Sequence, residues 1–313
     1  MLRRWVGPLM LVLGLALAVF LLSRVFGAYD LEHITAGVHA IDTPHLLGVA
    51  FFTACSYGCL TGFDTLAVRY VGHDLPYRRT ALASLIALSI GHSLGIAALS
   101  SGAVRYRFYA RWGLSAGEVA RVIFFCALTV GLGLAVLAGA ALVLRPSLGS
   151  EVLRVTPAVS VALGSTCLAT AMLYLFLAFN RRPVLAWRGW TLPMPRPALA
   201  IGQLIVGPLN FACVAAALHQ ALSAVADVEY AGVAAVYVVA TLTAMATHVP
   251  GGLGVIESVV VLLLPGTDLI AALVVFRVIY YLVPLVLGAA TLAAIELALA
   301  WARLRPIGDD DGR

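Results

Sequence analysis

The sequence contains no lysine. A P-loop needs a lysine to reach nucleotide phosphates, and Schiff-base chemistry needs one as the amine. The chain is therefore not expected to be an ATPase itself. Charge of either sign is also scarce, at 11% of 313 residues, against 62% hydrophobic. A soluble domain carries about 25% charged residues, so this chain could not cover a globule of its size with polar surface. Mean hydropathy is +1.00, and a bilayer is the solvent that fits. Five cysteines, at 55, 59, 126, 167 and 213, all fall in apolar runs. That placement suits small buried hydrophobes, not a disulfide framework or zinc. No second His or Cys stands at ligand spacing from His248, so neither a metal nor another cofactor is expected. No Ser-His-Asp set or paired carboxylates stand out either, and an enzyme is not the expectation.

The expected fold class is all-α and polytopic. Apolar runs long enough to span occur at about 5–26, 44–71, 115–144, 155–179, 198–221 and 269–300. The first is longer than a signal-peptide core and reads as an uncleaved span. Two more apolar segments are interrupted. The run Ser89 to Gly95 breaks 78–102, and Thr-His-Val-Pro-Gly-Gly-Leu-Gly at 247–254 breaks 231–264. Arginine placement decides whether these segments cross. If both turn back as re-entrant hairpins, Arg3, Arg4, Arg78, Arg79, Arg105, Arg107, Arg111, Arg181, Arg182, Arg188, Arg196, Arg303, Arg305 and Arg313 share one side. Only Arg24, Arg145 and Arg154 then lie opposite. That bias is what a cytoplasmic face should carry, whereas full crossing leaves almost none. The net charge of +5 is read as topology, and no nucleic acid is expected. The expectation is six full spans and two re-entrant hairpins in one membrane domain over 1–313. Both termini are cytoplasmic. Half-repeats of about 1–145 and 155–305 are related as an inverted repeat, a recurring transporter plan.

Ionisable groups at membrane depth cost several kcal/mol unless paired or wetted, roughly 2.5–3.5 on insertion scales. Arg69, Arg121 and Glu296 stand near span ends and read as interfacial anchors. Asp64 stands deeper, with a natural partner in the 105–111 segment. Arg277 stands deep in the last span, on one face with Tyr281, and its natural partner is Glu257. Pro284 frees a backbone carbonyl near that face. Each pair either lines a polar path or fixes the helix arrangement. His248 opens the second break as a structural residue or a relay with Glu257. The densest polar stretch alternates arginines and aromatics from Arg105 through Arg107 and Tyr109 to Trp112. It reads as a snorkelling belt or as a phosphate-binding edge. The loop 180–197, with Arg181, Arg182, Trp187, Arg188, Trp190 and Arg196, is expected to lie on an anionic leaflet.

These motifs resemble a known family. Thr61-Gly-Phe-Asp64, Leu75-Pro-Tyr-Arg-Arg-Thr-Ala-Leu-Ala-Ser84, Leu94-Gly and Ser100-Ser-Gly-Ala-Val-Arg-Tyr-Arg107 carry the first signature. His248-Val-Pro-Gly-Gly-Leu-Gly-Val-Ile-Glu257, Arg277 and Tyr280-Tyr281-Leu-Val-Pro284 carry the second. Together they resemble the transmembrane region of lysylphosphatidylglycerol synthase/flippase, the multiple peptide resistance factor of bacteria, and its stand-alone relatives. The resemblance implies a bacterial cytoplasmic-membrane protein that moves an anionic or aminoacylated phospholipid between leaflets. By motif match, Asp64, Gly102, Arg105, Arg107, Pro250, Gly251, Gly252, Glu257, Arg277 and Tyr281 become path residues. Arg105 and Arg277 are then expected to hold phosphate, and Glu257 or Asp64 a head-group amine. Ser101 replaces an expected second glycine, and His92-Ser93 replaces Asn-rich sequence. No soluble synthase domain follows, so aminoacyl transfer is not assigned. The alternatives are a secondary transporter of a small amphipathic solute and a membrane scaffold for a partner enzyme. The partners expected are membrane phospholipid and, as open cases, a second copy of the chain or a separate lipid-modifying enzyme.

Overall fold

The computed structural model describes residues 41–93, 97–180, 185–187, 190–264 and 269–304. The expected first span, 5–26, lies outside the described residues, as do Arg181, Arg182 and Arg188. The fold is all-α, as composition required, apart from two three-residue strands in the loop before 197. Leu185–Trp187 (β1) pairs antiparallel with Trp190–Leu192 (β2).

Local sequence sets the helix starts. α1, Thr43–Tyr70, begins behind an extended Asp42 with proline in its first turn. Proline's missing N–H costs nothing there. α2 and α3 are Tyr77–Ser93 and Ala97–Arg111. α4, Ala116–Leu144, starts at a reciprocal cap: Ser115 Oγ accepts from the Glu118 N–H, and Glu118 accepts from the Ser115 N–H. A short α5, Ser147–Val152, leads to α6, Pro157–Phe179, and then α7, Pro197–Ser223. α8, Tyr230–Thr247, stops at His248, whose φ of 54° is left-handed. A tight turn at Pro250–Gly252 and α9, Val255–Leu263, follow. The last helix is α10, Leu269–Arg277, a π-helical turn over Val278–Leu282, and α11, Val283–Leu304.

α1 and α7 pack along each other at the centre, with α4 and α6 on one flank. The interrupted segments are helical hairpins, as the arginine distribution predicts. α3 packs back along α2, and α9 back along α8. The Arg79 guanidinium stands 5.8 Å from the Trp112 ring, so the first hairpin leaves at the end where it enters. That end also holds the Tyr70–Pro193, His73–Glu118 and Arg107–Glu296 contacts. Arg145 and Glu229 pair at the opposite end. α8 is long and apolar enough to cross a bilayer by itself, but the chain turns back after it. α2 touches both the 250–252 turn and the π-helical turn, so the two hairpins meet inside the fold.

The polarity pattern is inverted relative to a soluble protein. Large apolar side chains face outward, among them Leu47, Phe51, Met172, Leu262 and Trp301, while Asp64, Arg105, Gln203, Asn210, Glu257 and Arg277 are buried. Glycines set the closest helix crossings. A Cβ on Gly133 of α4 would fall 2.6 Å from the Gly207 carbonyl carbon of α7, and one on Gly139 would fall 2.9 Å from the Gly164 oxygen of α6. Lipid gives helices no hydrophobic reason to associate, so backbone contact of this kind carries much of the adhesion.

Candidate functional site

Two buried ion pairs flank the place where the hairpins meet. In the first, Asp64 of α1 receives two hydrogen bonds from the Arg105 fork of α3, both 2.8 Å, and one from the Tyr109 hydroxyl at 2.7 Å. Arg105 also donates to Ser101 Oγ at 3.0 Å. The serine that replaces an expected glycine is thus a working acceptor. Asp64 is wholly buried and Arg105 is 3% exposed. A planar guanidinium on a carboxylate is the arrangement that makes burial of both charges tolerable.

In the second, Arg277 clamps the broken hairpin. It donates to both carboxylate oxygens of Glu257, to the Gly251 carbonyl at 2.8 Å and to the Gly252 carbonyl at 2.9 Å. Its guanidinium also stands 5.5 Å from the Tyr281 ring. Glu257 in turn accepts from the Gly254 N–H at 2.9 Å, capping α9. Gly251, Gly252 and Gly254 all have positive φ, 60°, 58° and 79°. Backbone in this conformation cannot satisfy itself by helical bonds, and in a bilayer it must be satisfied by protein. Arg277 and Glu257 supply those partners.

Between the pairs lies a cavity of about 330 Å³. Its walls are mostly apolar, including Phe63, Leu88, Ile123, Phe211 and Ile256. Its polar lining comes from Ser101, Arg105, Asn210, Tyr237, Thr241, Tyr280 and Tyr281, with Gly251 and Gly252 from the break. Two exposed lining residues, Ala127 of α4 and Met245 of α8, mark its mouth on the outer face of the bundle.

The other expected path residues are distributed around this centre. Gly102 keeps α3 close to α4: a Cβ there would fall 3.0 Å from Ile123 Cδ1. Arg107 faces away from the cavity and pairs with Glu296, which also lies 3.6 Å from Arg111. Pro250 opens the 250–252 turn. His248 is exposed, contacts the Ala246 carbonyl at 3.0 Å, and does not line the cavity.

Sequence reasoning missed a third polar set. Ser56 Oγ donates to Asn210 Oδ1 at 2.8 Å and shares a 2.9 Å hydrogen bond with the Tyr280 hydroxyl. Pro284 has no N–H for the Tyr280 carbonyl four residues back, and the Tyr57 hydroxyl donates to that carbonyl at 3.4 Å. A further buried cluster joins Tyr174, Gln203 and Thr129 across α6, α7 and α4. Two amides seven residues apart in the otherwise apolar first part of α7 were the available signal for Gln203 and Asn210.

Residues 11–288 match the family described as the lysylphosphatidylglycerol synthase TM region. An uncharacterized protein of Synechocystis, slr0712, is 32% identical over 274 residues, covering 86% of this chain and 85% of that protein. The inner membrane protein YbhN of Escherichia coli K12 is 31% identical over 255 residues, covering 77% and 76%. With six helices apolar and long enough to cross a bilayer and this match along its length, the chain is a multi-pass membrane protein and a member of the lysylphosphatidylglycerol synthase transmembrane-region family.

Proposed function

We propose that this protein moves a polar lipid between the leaflets of a bacterial cytoplasmic membrane. A lipid in transit must carry a charged head group past hydrocarbon while its tails stay in the bilayer. The observation that supports this reading is the cavity at the meeting of two interrupted hairpins. Its walls are apolar, it presents a buried cation, and exposed Ala127 and Met245 mark its mouth. Interrupted helices converging on a buried polar centre are a transporter plan, and the two hairpins occupy corresponding places in the proposed inverted halves. An inner-membrane relative and the family's association with lysylphosphatidylglycerol favour a phospholipid over a water-soluble solute.

The test is transbilayer movement of fluorescent phospholipid in proteoliposomes. Ala127→Trp fills the mouth without touching either ion pair, and the expected result is at least a tenfold slower rate, by analogy with misplaced contacts at a reacting centre, where losses are on the order of a hundredfold. A rate equal to wild type, with the variant shown to be folded, rejects this cavity as the route.

A further inference from the structure

We infer that the cavity selects an anionic head group bearing hydroxyls and no ammonium, as in the phosphoglycerol class; this deepens the lipid-moving reading and rests on it. The first observation is the charge of the lining. Among the described residues, Arg105 is the lone charged side chain that lines the cavity, and no carboxylate does. Asp64 sits behind Arg105, with its oxygens taken by Arg105 and Tyr109. Glu257 gives both oxygens to Arg277 and one also to the Gly254 N–H. Neither carboxylate is placed to receive an amine, which departs from the role expected of them from the sequence. An ammonium entering this space would lose its water, meet a cation and find no counter-charge.

The second observation is the supply of donors. A guanidinium has five N–H groups. Asp64 and Ser101 take three of those on Arg105, and the other two have no partner among the described residues. They suit a phosphate oxygen at the Ser101 corner of the cavity. Elsewhere in the lining, Asn210 spends its amide oxygen on Ser56, and its NH₂ has no partner among the described residues. The Thr241 hydroxyl is buried in this wall beside the Tyr237 hydroxyl. Tyr237 and Tyr280 complete a neutral polar wall. Such a wall matches the hydroxyls of a glycerol head group, which both donate and accept.

The experiment uses the full chain in detergent, with four lipids of identical acyl chains: phosphatidylglycerol, phosphatidic acid, phosphatidylethanolamine and lysylphosphatidylglycerol. Native mass spectrometry reads their relative binding. Phosphatidylglycerol should bind at least about tenfold more tightly than either amine-bearing lipid, and more tightly than phosphatidic acid, which lacks the hydroxyls. Thr241→Val, which takes one hydroxyl from this wall and leaves both ion pairs in place, should narrow the gap between phosphatidylglycerol and phosphatidic acid by about two- to tenfold. Equal or tighter binding of an amine-bearing lipid overturns the inference. So does a gap between phosphatidylglycerol and phosphatidic acid that is absent or unmoved by Thr241→Val. Proteoliposome transport of the same lipids separates the two claims. Selective binding with no transport sinks the transport reading and keeps the selectivity. Transport of all four at one rate keeps the former and sinks the latter.

Discussion

Arg277 does the work of several groups, because a guanidinium can donate in more than one direction at once. It neutralises Glu257 and closes two carbonyls that the break leaves outside any helix. Removing one partner of a buried pair leaves an uncompensated charge, at about 3–5 kcal/mol. Arg277→Met should therefore lower the melting temperature in detergent strongly. Arg277→Lys should rescue it little, since one ammonium cannot fork across a carboxylate and also reach both carbonyls. Melting near the wild-type temperature in either variant would show that the break holds itself. Asp64 and Arg105 are open to a double-mutant cycle. The double alanine variant should be less destabilised than the sum of the single variants, with a coupling of about 0.5–3 kcal/mol. Additive losses in unfolding titrations would mean that the two groups do not act together. The pairing of these deep charges was legible in the sequence, because four ionisable groups in apolar runs had few partners within reach. The Ser56–Asn210–Tyr280 set was not: its members are individually unremarkable, and they meet across separations of 154 and 224 residues.

At the scale of helices, glycine contacts make the sharpest prediction. Gly133→Ala would push a methyl group into the backbone of α7, and overpacking of this kind costs about 1–3 kcal/mol. Gly131, two residues away on the same helix, faces open space, so Gly131→Ala is the matched control. Thermal melts of the two variants should separate clearly, and indistinguishable melts would remove the α4–α7 crossing as a source of stability. The hairpins were legible as elements because two independent signals, helix-breaking residues and the sidedness of arginine, pointed to one solution. The π-helical turn was not legible. Pro284 announced a disturbance, but whether a helix answers with a kink or an added residue depends on its neighbours, here Tyr57 and the first hairpin. Glu296 read as an interfacial anchor for a related reason. Its partners Arg107 and Arg111 are nearly two hundred residues away in sequence, and only the completed bundle brings them together.

For the whole molecule, the arrangement of ends predicts labelling from two sides. Single cysteines replacing Arg78, Arg111 and Arg196 in a cysteine-free background should react from the cytoplasmic face. Cysteines replacing Ser150 and Asp227 should react from outside. Labelling of position 78 and position 111 from opposite faces would show that the first hairpin crosses the membrane. The π-helical turn ties such distant points together. A π-helical turn closes its hydrogen bonds over one residue more than an α-helical turn and takes that residue up in its own wider ring. Deleting Ile279 should therefore let the helix close to regular α while Glu296 stays on the Arg107 side, whereas one residue added to the regular helix beyond it would turn Glu296 away by about 100°. The latch at one end of the bundle keeps its place because the slack in the chain is stored beside the central chamber.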